Sequence, residues 1–220
     1  MINLNVNDTI GISFHMVILS LLATTIFLLL EQKNIEKKWH TSNNVSILVL
    51  IIAAYHYFNM QNKWIDNKSN PVVYRYMDWF ITVPLLIIEF YIILNVETNI
   101  PRSIFYKLLI ASILMLLFGF LGELNIIDRV LGFVLGSIFW VYIVYQILYG
   151  ELQQYKKKIN NKTVHFIYNN LKWIIIVGWA IYPLGYILNN TDMNLVYNIG
   201  DFINKILYAL IIWYGSKYIS

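Results

Sequence analysis

Cysteine is absent from this chain, which excludes a disulfide framework and any thiolate metal site. Charge is scarce as well. Asp, Glu, Lys and Arg together make up 13% of the residues, against about a quarter in a soluble domain. With 59% hydrophobic residues over 220 positions, the composition suits a protein dissolved in lipid. The net charge of +4 is modest. The basic residues lie in short connections between apolar runs, without the aromatic-interleaved basic patch that nucleic acid requires. No catalytic triad, metal-ligand cluster or phosphate loop is present, so the sequence reads as a non-enzyme with no metal site. The start, Met1 to Asp8, is short and polar and does not resemble a cleavable signal; the first apolar run behind it is long enough to span a bilayer.

Seven apolar spans are expected at about 9–31, 43–62, 72–95, 101–122, 129–149, 166–188 and 194–217, each near the ~20 residues a transmembrane helix needs. Runs of this length satisfy their backbone in lipid only as helices. The connections, such as Gln61–Asn70 and Gly150–Val164, are short and polar, so residues 1–220 read as one all-α, seven-transmembrane-helix domain. Of the 16 Lys and Arg residues, eleven fall on one side: Lys33, Lys37, Lys38, Arg102, Lys107, Lys156, Lys157, Lys158, Lys162, Lys172 and Lys217. Three fall on the other: Lys63, Lys68 and Arg129. The richer side is expected to be cytoplasmic, with the N-terminus outside, in a multi-pass protein of the cell (inner) membrane.

Arg75 and Lys205 remain, both inside spans. A lysine at the centre of a span costs about 2.5–3.5 kcal/mol on insertion scales. Asp201 precedes Lys205 by four residues and shares its helical face, which on its own fits either a structural ion pair or a functional centre. In the third span Arg75, Asp78 and Thr82 share a face. Glu89 returns to within about 20° of that face about 16 Å further along the axis. The span therefore carries a column of ionisable groups across the bilayer, the pattern of a proton relay. Trp179, Tyr182 and Tyr186 form an aromatic stripe in the sixth span. With Trp79 and Trp140 it fits either ordinary helix packing or the wall of an apolar slot. Tyr142, Tyr145 and Tyr149 read as interfacial belt residues.

As a set, RYMDWFITVPLLIIEFY in the third span, WVYIVYQILYGE closing the fifth, VGWAIYPLGY in the sixth and NLVYNIGDFINKILYALIIW in the seventh resemble the microbial rhodopsins, and within them the proteorhodopsins. The resemblance covers essentially the whole chain. It implies all-trans retinal bound to Lys205 as a protonated Schiff base, with Asp78 and Asp201 as counter-ions. Asp78 would be the proton acceptor and Glu89 the donor, holding a proton in the dark. Arg75 would guide the proton outward, Thr82 would neighbour the relay, and His56 would pair with the acceptor. The retinal slot would be lined by Tyr76, Trp79, Thr82, Leu86, Met115, Gly119, Trp140, Trp179, Tyr182, Pro183 and Tyr186. Leu86 matches the colour-tuning position, where an apolar residue implies green absorption. His15, His40 and His165 match no family role.

The implied activity is a light-driven outward proton pump working in a lipid bilayer, in an assembly of five or six copies. A chloride pump would lack the carboxylate at position 78, and a sodium pump would carry Asn, Asp and Gln where Asp78, Thr82 and Glu89 stand. The competing reading is a photosensor with a slow photocycle that signals through a partner. The segment NNTDMN lacks the paired glutamates of the haloarchaeal release group, and Glu123 is expected to be a solvated loop carboxylate, with a part in outer-side proton transfer as the alternative.

Overall fold

The computed structural model describes residues 5–188 and 190–219, and for 190 and 191 the backbone alone. The chain forms α1 (Thr9–Glu31), α2 (His40–Asn67), α3 (Val72–Asn95), α4 (Arg102–Glu123), α5 (Arg129–Leu148), α6 (Glu151–Lys158), α7 (Lys162–Ile176), α8 (Ile181–Ile187) and α9 (Asn190–Tyr218). A 3₁₀ turn, Gly178–Ala180, joins α7 to α8, so these two short helices together make the sixth crossing. Successive crossings pack on one another, and α9 closes the ring against α1, α2 and α7. The result is a seven-helix bundle.

Local chemistry sets the ends. Asp8 caps α1 by accepting from the Gly11 N–H at 2.9 Å. Asp128 does the same for α5 and Asn161 for α7, each satisfying a backbone donor that the first turn leaves free. Lys68 ends α2 in the left-handed region at φ 52°. The α4–α5 crossing is close: a Cβ on Gly132 would sit 2.8 Å from the Gly122 Cα, the small-residue contact that lets membrane helices approach. Pro84 lies within α3 without ending it.

The outward faces are apolar. Met16, Leu19, Leu22, Ile26, Leu29 and Leu30 of α1 are all exposed, as a lipid-facing surface requires. Among the described residues six crossings are long and apolar enough to span a membrane, and α2 is not one of them. It compensates for its polarity by burying Ser42, Asn43, Ser46, His56 and Gln61 against its neighbours.

Three expectations need correction. The second crossing runs on to Asn67, so most of the expected polar connection Gln61–Asn70 is helix. The connection Gly150–Val164 holds α6, whose polar sequence has one buried anchor, Leu152. The sixth crossing starts at Lys162 and not near residue 166, which puts Lys172 ten residues into α7. Of the segment NNTDMN, Asn189 and the side chains of Asn190 and Thr191 lie outside the described residues.

Candidate functional site: a buried lysine–carboxylate centre at the end of an aromatic cavity

The centre of the bundle is charged. Lys205 on α9 is 2% exposed, and its Nζ is ion-paired with Asp78 Oδ2 of α3 and, at 3.2 Å, with Asp201 Oδ2 one turn back on α9. Both carboxylates are fully buried. Isolated charges at this depth would cost several kcal/mol each, so pairing is what makes the cluster tenable.

The two carboxylates are held differently. Asp201 accepts from the Tyr57 hydroxyl at 2.8 Å, the Tyr182 hydroxyl at 2.7 Å and the Trp79 indole at 3.4 Å. Asp78 Oδ1 has no hydrogen-bond partner. His56 on α2 is close enough to act on Asp78 electrostatically, but no hydrogen bond joins them and its Nδ1 is also without a partner. The expected pairing is therefore a proximity, not a bond. Thr82 is buried and donates to the Asp78 backbone carbonyl at 3.0 Å. It shares a face with Asp78 and is not among the cavity-wall residues, where the resemblance placed it.

Arg75, 1% exposed, makes no ion pair with Asp78 or Asp201. Its guanidinium donates to the Tyr57 hydroxyl at 3.3 Å and to the side-chain oxygens of Asn194 and Asn198, each at 3.1 Å. Tyr57 therefore bridges Arg75 to Asp201, accepting from the guanidinium and donating to the carboxylate. Toward the opposite end of α3, Glu89 is fully buried and neither carboxyl oxygen has a partner in regular hydrogen-bond geometry. Ser42 of α2 lies beside it.

From Lys205 a cavity extends between α3, α4, α5, α8 and α9. Its walls include Tyr76, Trp79, Leu86, Met115, Gly119, Trp140, Trp179, Tyr182, Pro183 and Tyr186. These are the ten other positions that the resemblance assigned to the slot. The remaining wall residues are Val83, Leu116, Gly132, Phe133, Gly136, Ser137, Tyr197 and Asn204, with Asp201 and Lys205 at the charged end. Trp79 and Tyr182 meet edge to face at 5.3 Å, and a Cβ on Gly119 would lie 2.9 Å from the Tyr76 hydroxyl. The wall is thus largely aromatic and apolar, with Lys205 and Asp201 at its charged end. That shape and chemistry suit a long apolar molecule with one reactive carbonyl end.

The model of the bacteriorhodopsin-like protein family matches residues 8–218. The chain belongs to that family. Within it the chain is a proteorhodopsin by similarity: it is 44% identical to the green-light absorbing proteorhodopsin of Gamma-proteobacterium EBAC31A08 over 221 aligned positions, 96% of this chain and 88% of that one. It is 41% identical to the blue-light absorbing proteorhodopsin of Gamma-proteobacterium Hot 75m4, over 96% of this chain and 87% of the relative. Among solved structures, the blue light-absorbing proteorhodopsin from Med12 superposes with a TM-score of 0.84 at 41% identity, covering 95% of this chain and 98% of that one. The rhodopsin family and the apolar crossings together make this a multi-pass protein of the cell membrane.

Sequence reasoning missed Tyr57, Asn194, Asn198, Tyr197 and Asn204. A signal for part of this set was available: Asn194, Asn198, Asp201 and Lys205 follow one another at spacings of four, three and four, one face of a helix. Asn204 donates to the Gly178 carbonyl at 3.0 Å, which also accepts from the Ile181 N–H that closes the 3₁₀ turn. Glu123 is not a solvated loop carboxylate. It ends α4 half-buried and accepts from the Tyr197 hydroxyl at 2.9 Å.

Proposed function

We propose that this chain is a light-driven outward proton pump, a transporter and not an enzyme, with all-trans retinal attached at Lys205. The observation that carries the reading is the Lys205 amine, ion-paired with Asp78 and Asp201 at the charged end of an aromatic cavity. Retinal would supply light absorption and, on isomerisation, reorientation of a protonated nitrogen carried by Lys205. The other roles are those of the protein's own side chains.

Asp78 is the acceptor. One of its oxygens faces Lys205 and the other has no partner, so it can take a proton without losing a bond. Asp201 stays ionised, because two tyrosine hydroxyls and an indole already donate to it, and hydrogen bonds to the charged form favour that form. The cluster of Lys205, Arg75, Asp78 and Asp201 is neutral before transfer and stays neutral after it. Glu89 is the donor on the other side of Lys205. Arg75, reaching toward Asn194 and Asn198, offers a positive charge on the exit side.

The outward direction rests on the excess of basic residues on the face that carries the C-terminus. Green absorption rests on Leu86, an apolar residue in the cavity wall. The test is a light-induced pH change in unbuffered cells expressing the chain with all-trans retinal. Acidification abolished by a protonophore supports outward pumping. Coloured cells without a pH change would overturn pumping and favour a photosensor.

A further inference from the structure

In the bilayer an unpartnered polar group costs several kcal/mol. Five polar atoms without a partner in regular hydrogen-bond geometry gather toward the C-terminal face: Asn43 Oδ1, Ser46 Oγ, Ser42 Oγ and both carboxyl oxygens of Glu89, the last two residues being close enough to interact with each other. Ser42, Asn43 and Ser46 fall within about 100° of one another on α2 and within about 6 Å along its axis. All three are at most 3% exposed, and Ser42 lies beside Glu89.

Among the described residues the cluster has one hydrogen-bonded link to the surface. The Asn43 amide donates to Gln32 Oε1 at the end of α1 and, at 3.5 Å, to the Leu28 carbonyl. Gln32 in turn donates to Asn44 Oδ1 at 3.2 Å, in an exposed setting. Elsewhere this end is closed by buried apolar side chains, including Ile35, Trp39, Ile100, Leu152 and Ile159. Other buried polar side chains near this face are satisfied. Gln146 accepts from the Glu151 N–H and donates to Tyr142, and Thr163 donates to the Ile219 carbonyl.

We infer that Gln32 and Asn43 form the polar gate through which water and protons reach Glu89 from the C-terminal face, with Ser42 and Ser46 holding the water file behind it. A polar site with two to four partners is where a buried water is stable, and the orphaned atoms supply those partners. The proton arrives as hydronium, moves along the file and ends on a Glu89 oxygen: carboxylate plus hydronium gives carboxyl plus water. Asn43 is a positioning residue here, because it acts by ordering water and carries no proton itself. The inference rests on Glu89 being the donor carboxyl.

Exchange of the Glu89 proton with D2O, read in the dark by infrared spectroscopy of the full chain, tests the gate without relying on pumping. The carboxyl band is assigned by its loss in Glu89→Gln. Asn43→Leu, close in size and unable to hydrogen-bond, should slow the exchange tenfold or more, while Asn43→Ser should stay within threefold of the parent. An Asn43→Leu protein that exchanges within twofold of the parent overturns the gate and leaves the donor role intact. Absence of any carboxyl band removed by Glu89→Gln overturns the donor role and the gate with it. Colour on adding retinal reports folding. If Asn43→Leu takes no colour, Gln32→Leu, nearer the surface, carries the same expectation and the same refutation.

Discussion

Tyr57 offers a direct test of how the charged centre is held together. Its ring is fully buried, and its hydroxyl donates to Asp201 at 2.8 Å while accepting from Arg75 at 3.3 Å. Tyr57→Phe keeps the ring and deletes both bonds. Hydrogen bonds to charged partners contribute about 1.5–3 kcal/mol each in soluble proteins. Side-chain hydrogen bonds inside bilayers average about 0.6 kcal/mol and reach about 1.7 kcal/mol. Neither partner is left bare here. Asp201 keeps Tyr182, Trp79 and Lys205, and Arg75 keeps Asn194 and Asn198. That argues against the soluble figure, while the full charge on both partners argues for the top of the bilayer range. The expected loss is about 2–3 kcal/mol for the two bonds together.

For a chain of this size each kcal/mol moves a thermal midpoint by about 2–4 °C, so bleaching of the pigment in detergent should begin about 4–12 °C lower. Tyr168→Phe is the control: its buried hydroxyl donates to the neutral Ile147 carbonyl at 2.8 Å, for an expected loss near the bilayer average of about 0.6 kcal/mol. Equal losses in the two variants would refute the claim that charge makes the Tyr57 bridge special. A Tyr57→Phe loss below about 1 kcal/mol, against the range expected for two charge-assisted bonds, would refute the bridge itself.

Asp78→Asn removes the acceptor and a negative charge beside Lys205, so the pigment should stay coloured, absorb further to the red and pump no protons; absorption spectra and light-induced pH traces check both. Leu86→Gln puts a polar group in the cavity wall, where it stabilises the ground-state charge distribution, and the absorption maximum should move toward the blue. At the surface, burial works against the Asp8 carboxylate, but Lys68, the Gly11 N–H and the Trp64 indole outweigh it and hold its carboxyl below the usual range. Its contribution should thus be present at neutral pH and be lost as pH falls below about 4 and through the lower folded-state value. Lys68 is 56% exposed in this pair, so the contribution is small. Asp8→Asn should narrow the gap in stability between neutral pH and pH 3, and a gap equal to the parent's in denaturation curves would exclude the linkage.

What could be read in the sequence follows from what lipid makes expensive. Lys205, Asp201, Arg75, Asp78 and Glu89 stood out because a charge in an apolar run demands a reason, and the structure gathers four of them at one centre. Tyr57, Asn194, Asn198 and Asn204 carry no formal charge, cost less to bury, and are common enough in helices to pass unnoticed. The same logic applies to the fold. Continuous hydropathy marked the crossings but hid the break at Gly178–Ala180, since an apolar run reads alike whether the helix continues or turns. The ends of α2 and the whole of α6 were hidden for the opposite reason: ELQQYKKK and NKWIDN are polar, and their helical state depends on neighbours.

The low hydropathy of α2 is a consequence of how the bundle divides its work. Ser42, Asn43, Ser46, His56 and Gln61 on α2, Arg75, Asp78, Thr82 and Glu89 on α3, and Asn194, Asn198, Asp201, Asn204 and Lys205 on α9 account for most of the buried polar side chains among the described residues. By contrast α4 and α5 bury little that is polar beyond Ser112 and Gln146, and they supply the apolar walls and the close glycine crossing beside the cavity. Under the proposed function, chromophore site and proton path share only α3 and α9 and meet at Lys205. Substitutions confined to the α4 and α5 walls should tune colour with little effect on proton transfer. Those at Ser42, Asn43 and Ser46, on the part of α2 remote from Lys205, should change proton-transfer rates with little effect on colour. Under the proposed function, a polar second crossing lets one bundle hold a dry chromophore site and a wet proton path side by side.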